Sequence, residues 1–346
     1  MTEQQTAGAV LMVRPAQFGS NAETAGSNFF QRAATAMDGG SAANAGEGMD
    51  ARGRATQGAV AGSNSRPSGA SDAAQRAQRE FDALALALTG AGVRVHQFAG
   101  QRGAALPDEV FPNNWLSLHA DGTAVLYPML APSRRRERRR DILDALVDSC
   151  GYRIDRVVDL THLEARGAYL EGTGSVVLDR AAHVAYACLS PRTHLDALHE
   201  LARALRYEVV PFTAVDVGSR PIYHTNVMLS VGARFAALCT AAIADAAERR
   251  SVIARLEASG REIVDLSQAE LEGFACNLLE LAGAGGPVIA LSAAALRTLA
   301  APTRAALERH GRIVTADIPT IERLGGGSVR CMLAEVALPK AQSTGG

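Results

Sequence analysis

The sequence predicts an α/β fold: five strand-strand-helix-strand units arranged radially about one axis, a five-bladed ββαβ propeller. Two observations carry this expectation. Five helix-like segments recur at a spacing of about 50 to 60 residues, the mark of a repeat array. Each is flanked on both sides by a short strand signal.

In chain order, the helices begin near Asp72, Ser133, His194, Asp245 and Ala293. An apolar strand precedes each: Val10 to Val13, Ala124 to Tyr127, Val184 to Cys188, Phe235 to Cys239 and Val288 to Leu291. A second strand follows each, at Val93-Arg94-Val95, Tyr152-Arg153-Ile154, Glu208-Val209-Val210, Glu262-Ile263-Val264 and Arg312-Ile313-Val314. Four of these follow a glycine (Gly92, Gly151, Gly260, Gly311), as expected where a helix ends in a left-handed residue. Asp121-Gly122 has the composition of a hairpin turn between strands at Trp115 to Leu118 and Ala124 to Tyr127. Gly283, Gly285 and Gly286 read as another hairpin turn, because no strand-to-helix context follows them. The first unit is split between the two ends of the chain.

One segment stands outside this pattern. Residues 38–71 are rich in Gly, Ala, Ser and Asn and hold almost no large apolar side chain. Such a stretch cannot bury enough surface to offset its ordering entropy and reads as a flexible insertion in a single domain spanning 1–346.

The bulk numbers narrow the function. With 346 residues, 47% of them hydrophobic, a sizeable core is available. A net charge of −1 and only 5% aromatic residues argue against a nucleic-acid surface. The basic run Arg134 to Arg140, broken only by Glu137, reads as a solvated helix face. The five cysteines are scattered, with no CxxC pair, so neither a zinc ribbon nor a complete disulfide framework is expected. Cys188 with His194 and His199 is a loose grouping that reads as structural, and no metal or cofactor is expected. No signal pattern and no apolar run of about 18 residues is present, so a cytoplasmic setting without membrane contact is expected. Oligomeric state is not readable.

The chemistry-bearing residues fall in phase with the repeat. Gly325-Gly326-Gly327-Ser328-Val329-Arg330-Cys331-Met332 places a cysteine after a glycine-rich loop, a candidate nucleophile. The first strand of each hairpin opens alike, at Asn114-Trp115-Leu116, Gly174-Ser175-Val176, Asn226-Val227-Met228, Asn277-Leu278-Leu279 and Cys331-Met332-Leu333. Glu171 and His224 lie two or three residues before their own phase points. In a closed ring these positions converge on the axis, which gathers a thiol, an imidazole and a carboxylate. Asn277 reads as a structural amide. Gly326 offers a close backbone approach to a substrate.

At these residues the chain resembles the pentein superfamily of guanidine-group modifying enzymes, which includes arginine deiminase, dimethylarginine dimethylaminohydrolase and the amidinotransferases. The motifs that carry the resemblance are Phe111-Pro112-Asn113-Asn114-Trp115, Leu170-Glu171-Gly172-Thr173-Gly174-Ser175, Tyr223-His224-Thr225-Asn226-Val227-Met228 and Ile318-Pro319-Thr320-Ile321-Glu322-Arg323. It is most similar to the arginine-deiminase-related citrulline-utilisation hydrolases. The resemblance implies Cys331 as nucleophile, His224 as general acid and base, and Glu171 as their carboxylate. It also implies that Arg192 helps hold the substrate's amino-acid carboxylate. Ala131-Pro132-Ser133-Arg134-Arg135 is similar to a substrate-side segment of the dimethylarginine enzymes, although the same arginines fit a solvated helix start.

Two departures bear on specificity. Guanidine-using relatives place an aspartate where Asn114 stands, and arginine deiminases place a second where Asn226 stands. A carboxylate matches a cationic fork, whereas an amide has one accepting and one donating face. The pair of asparagines suits a neutral ureido group, so citrulline is the expected substrate, giving ornithine, carbon dioxide and ammonia. Such a substrate cannot lend positive charge to the thiolate, and a preformed Cys331–His224 ion pair is expected in its place. Activity on arginine or methylarginines, amidinotransfer, and a catalytically silent metabolite- or protein-binding ring are the alternatives.

Overall fold

A computed structural model describes residues 3–32 and 68–341. The described chain forms five three-stranded sheets, each with one antiparallel and one parallel pairing. Strand β1 (Ala9–Arg14) pairs in parallel with β2 (Arg94–Ala99), and β15 (Ala334–Glu335) pairs antiparallel to β1, so the two chain ends complete one unit. The others are β3 (Leu116–Leu118), β4 (Thr123–Leu126) and β5 (Arg156–Asp159); β6 (Val177–Asp179), β7 (Val184–Cys188) and β8 (Glu208–Phe212); β9 (Leu229–Val231), β10 (Phe235–Leu238) and β11 (Glu262–Asp265); and β12 (Leu279–Gly283), β13 (Gly286–Ser292) and β14 (Arg312–Ala316).

The middle strand of each sheet is apolar because both of its faces are covered. Its helix packs on the sheet. In Ser68–Gly90, Ala77, Phe81, Leu84 and Leu88 recur at helical spacing and are fully buried, each large side chain worth roughly 1.5–3 kcal/mol. Asp245 and Ser292 cap the helices Ala246–Ala258 and Ala293–Thr298 by accepting backbone N–H groups. Units are stitched across their borders. Leu118 bridges Val336, Ala282 N–H donates to Ala7 at 3.0 Å, and Gln5 Nε2 donates to both Leu178 and Val231 at 2.9 Å.

Several boundaries differ from expectation. The strand expected at Tyr152-Arg153-Ile154 falls at β5, because Arg156 registers with Thr123; Tyr152 makes only an isolated bridge to Lys340. The helix expected from Ser133 is two pieces, Pro132–Arg135 and Arg140–Asp148. Gly92, Gly151 and Gly260 are left-handed as predicted, but Gly311 is not. There a Cβ would meet the Pro287 carbonyl oxygen at 3.0 Å, so close packing accounts for the glycine. The third unit turns at Arg206, with φ of 61°. The expected insertion at 38–71 lies outside the described residues except for 68–71, which begin the first long helix. Among the described residues, no helix is long and apolar enough to cross a membrane.

Candidate active site

Four units carry a short helical turn just ahead of their inner strand. These turns hold Asn114 (Pro112–Asn114), Gly174 (Gly172–Ser175), Asn226 (Thr225–Val227) and Cys331 (Val329–Met332), and Asn277 stands at the matching place before β12. The predicted phase is therefore real. Cys331, His224, Asn114, Arg192 and Gly326 line one cavity, with Glu171 directly behind His224. The cavity holds about 10 Å³, room for one water molecule and too small for an amino acid.

Glu171 is fully buried and heavily bonded. His224 Nε2 lies 2.9 Å from Glu171 Oε2, Arg192 Nη1 donates to the same oxygen at 3.3 Å, and Leu130 N–H donates to Oε1 at 3.1 Å. Burial works against its charge, but Arg192, the His224 hydrogen bond and Arg134 win and hold the carboxyl well below the usual range. His224 is pushed down to about 4, with burial outweighing the opposing pull of Glu171. It is a neutral imidazole near pH 7. Because ionised Glu171 only accepts, Nε2 carries the hydrogen and Nδ1 is the basic nitrogen. Gly174 sits against that edge, where a Cβ would fall 2.8 Å from Nδ1 and 2.4 Å from Asn114 Nδ2.

The sulfur has different partners from those expected. Among the hydrogen bonds and ion pairs of the described residues, none joins Cys331 to His224. Asn226 Nδ2 and Asn277 Nδ2 each lie 3.5 Å from Cys331 Sγ. Asn226 Oδ1 is buried with no protein partner.

Arg134 corrects the reading of the basic run. It is buried rather than solvated, and it lines the cavity. Its Nη1 donates to Asn114 Oδ1 at 2.8 Å, while Nε and Nη2 clasp the buried Glu137 at 2.9–3.1 Å. Asn114 Nδ2 reaches the Glu171 carbonyl at 3.5 Å, so both amide edges already have protein partners.

Arg192 donates to Ser27 Oγ at 2.7 Å and to the Thr24 carbonyl at 2.9 Å, and its guanidinium lies over the Tyr223 ring at 5.0 Å. Gly326 is left-handed, with φ of 63°, and a Cβ there would meet Asn28 Nδ2 at 2.5 Å. The close approach at Gly326 is thus made by the chain's own N-terminal segment. Asn28 Nδ2 donates to the Gly325 and Gly326 carbonyls at 3.2 Å, and Tyr223 Oη to Gly326 at 2.7 Å.

Sequence reasoning missed Asp108, Thr24, Asn28 and Tyr223, all of which line the cavity. Asp108 is buried; Asn21 Nδ2 donates to its Oδ2 at 2.7 Å, but Oδ1 has no partner. Burial drives its carboxyl upward, against the pull of Arg134. No repeat or motif points to the N-terminal part of this set: Asn21 caps the short helix Ala22–Ala25, Thr24 lies within it and Asn28 lies beyond it.

No curated protein matches the sequence significantly. Among solved structures, the fold is similar to the N-terminal domain of ArgZ, an arginine dihydrolase from the ornithine-ammonia cycle in Cyanobacteria. The identity is 17% and the TM-score 0.64, over 96% of this chain and 98% of that one. It is also similar to AgrE in complex with L-arginine, at 18% identity and a TM-score of 0.64, over 97% of this chain and 41% of that longer one. A dimethylarginine dimethylaminohydrolase captured as an adduct with S-methyl-L-thiocitrulline follows at 14% identity and a TM-score of 0.58, over 96% and 99%. The family model for N,N dimethylarginine dimethylhydrolase, eukaryotic, matches residues 63–338. The chain belongs to that family and, with it, to the pentein superfamily of arginine-modifying enzymes.

Proposed function

We propose that this chain is a thiol-dependent hydrolase of the terminal C–N bonds of a ureido or guanidino amino acid, with citrulline as the substrate that fits best. The observation that carries the reading is the Glu171–His224 hydrogen bond of 2.9 Å on the wall of the cavity that also holds Cys331. Two neutral amides rather than carboxylates adjoin the sulfur, which suits an uncharged ureido end.

In the first step Cys331 Sγ attacks the ureido carbon. The thiol proton passes by way of His224 to the terminal nitrogen, which leaves as ammonia. Glu171 stabilises the imidazolium formed in transit. In the second step water attacks the S-linked carbamoyl carbon, His224 takes its proton, and that proton returns to the departing sulfur. The released carbamate breaks down to ornithine and carbon dioxide. Arg192 and Arg134 supply the positive charge for the carboxylate end of the substrate. The cavity as it stands is too narrow for an amino acid, and the segment holding Thr24, Ser27 and Asn28, hydrogen-bonded to Arg192 and Gly326, is the part of its wall that would yield on admission.

Asp108 favours a second reading. An unpartnered buried carboxylate oxygen on the cavity wall is the acceptor a guanidinium needs. Arginine would then enter first, lose ammonia to give citrulline, and be hydrolysed again; an arginine dihydrolase is among the proteins whose fold this chain shares.

The test is release of ammonia or methylamines, and of ornithine, from citrulline, arginine and methylarginines, with Cys331→Ala as control. Ornithine from citrulline alone supports the first reading, and ornithine from both amino acids supports the second. Arginine turnover that stops at citrulline, with citrulline inert, ends both.

A further inference from the structure

We propose that Asn277 belongs to the catalytic machinery: with Asn226 it forms a two-amide cradle that holds the Cys331 sulfur as the attacking anion. This rests on the functional reading only in taking Cys331 as the nucleophile.

Each amide places Nδ2 3.5 Å from Sγ, within N–H···S reach. Asn277 is not free to turn. Its Oδ1 accepts the Arg330 N–H at 3.1 Å, and its Nδ2 also donates to the Asn226 carbonyl at 2.9 Å. A flipped amide would set oxygen against oxygen at Asn226 and N–H against N–H at Arg330. The residue just before the nucleophile thus fixes which edge of Asn277 meets the sulfur. The remaining contact, Sγ to Asn277 Oδ1 at 3.8 Å, is longer and goes to an oxygen already engaged.

All three side chains are buried, where a hydrogen bond is electrostatically stronger than in water. An amide N–H binds a thiolate more strongly than a thiol, so two such donors favour the attacking form. The other ionisable groups about the cavity are His224, Glu171, Asp108, Arg134, Arg192 and Tyr223, with Arg330 adjacent in the chain. None of them is hydrogen-bonded or ion-paired to the sulfur among the described residues. The cradle therefore adds direct hydrogen bonds to the charge of buried Arg330, which interacts electrostatically with Cys331, and together they stand in for the charge that a cationic substrate would otherwise lend.

The experiment reads the thiolate without substrate, as ultraviolet absorbance of the enzyme minus that of its Cys331→Ser variant across pH. Asn277→Asp keeps the acceptor for the Arg330 N–H and nearly the same volume but loses both donors. It is expected to lower the thiolate fraction at mildly alkaline pH by about tenfold, the scale of one hydrogen bond to a charged group. Asn277→Leu, which adds no charge, is expected to act in the same direction. A folded Asn277→Asp protein with an unchanged thiolate titration overturns the proposal and leaves the residue a structural amide. If the variants do not fold, asparagine-labelled native protein decides. Both side-chain amide signals must move as Cys331 ionises and stay fixed in Cys331→Ala; a single moving signal refutes the cradle. Absence of ornithine from every substrate, with the thiolate still dependent on Asn277, would remove the functional reading alone.

Discussion

Gly174→Ala is the sharpest steric test of the site. Gly174 lies in the short helical turn Gly172–Ser175 without a left-handed φ, so alanine suits the backbone. The added methyl would sit 2.4 Å from Asn114 Nδ2, 2.8 Å from His224 Nδ1 and 3.0 Å from His224 Cε1. Neither neighbour can step aside cheaply. Asn114 is pinned by Arg134 at 2.8 Å, and His224 by Glu171 at 2.9 Å. Overpacking of this kind costs about 1–3 kcal/mol, and a displacement of about 1 Å at a reacting group costs roughly a hundredfold in rate. The expected outcome is a folded enzyme melting a few degrees lower, with kcat/KM for ammonia release down by about a hundredfold. Gly90→Ala is the control: nothing lies within 4 Å of its Cβ, so that protein should keep full activity and gain about 0.5–1 kcal/mol. Native kcat/KM in Gly174→Ala would show that His224 and Asn114 do not work from the positions described here.

Three further outcomes follow from the same contacts. His224 titrates near 4 in the folded chain and near 6.5 unfolded, so the unfolded chain binds the extra proton between those values and stability falls as pH falls through that window. Urea unfolding at pH 7 and pH 5 should show a smaller loss in His224→Gln than in the native chain; an equal loss refutes the assignment. Glu171→Gln leaves His224 and Arg192 without their carboxylate, and kcat should fall at least about a hundredfold while citrulline still binds. Near-native kcat would show that Glu171 does not tune the imidazole. Arg180→Met removes buried ion pairs to Glu3 at 3.2 Å and Glu335 at 3.4 Å and should cost about 3 kcal/mol in urea unfolding. Unchanged stability would mean that these pairs do not help to close the ring.

The repeat was legible because its signals are local. Hairpin turns, left-handed glycines and apolar middle strands each follow from a few adjacent residues. Phase then carried the reading from fold to site: positions far apart in sequence converge because the units are equivalent, and Asn114, Asn226, Asn277 and Cys331 meet as that argument requires. The misplaced β5 shows the limit. Tyr152-Arg153-Ile154 and Arg156-Val157-Val158 are equally plausible strands by composition, and only pairing with β4 decides between them.

Arg134 fails for a deeper reason. A run of arginines beside one glutamate normally faces water, since burying a guanidinium costs several kcal/mol unless it is paired. Here the pairing comes from separate segments: Glu137 one turn along, Asp108 at 3.8 Å and Glu171 at 3.9 Å, with the Asn114 amide as a further acceptor. No window of sequence contains all four, so local composition favours solvent however carefully it is read. Arg192, named only through the family resemblance, has equally scattered partners: its donors reach Glu171 and the N-terminal segment carrying Thr24 and Ser27. The thiol, imidazole and carboxylate could be found because they lie on the symmetric part of each unit. The groups suited to the amino-acid end of a substrate come from loops and an N-terminal segment that no repeat constrains, so Arg192 and the segment of Arg134 are reached only through the family resemblance, and Thr24, Asn28 and Asp108 are not reached at all.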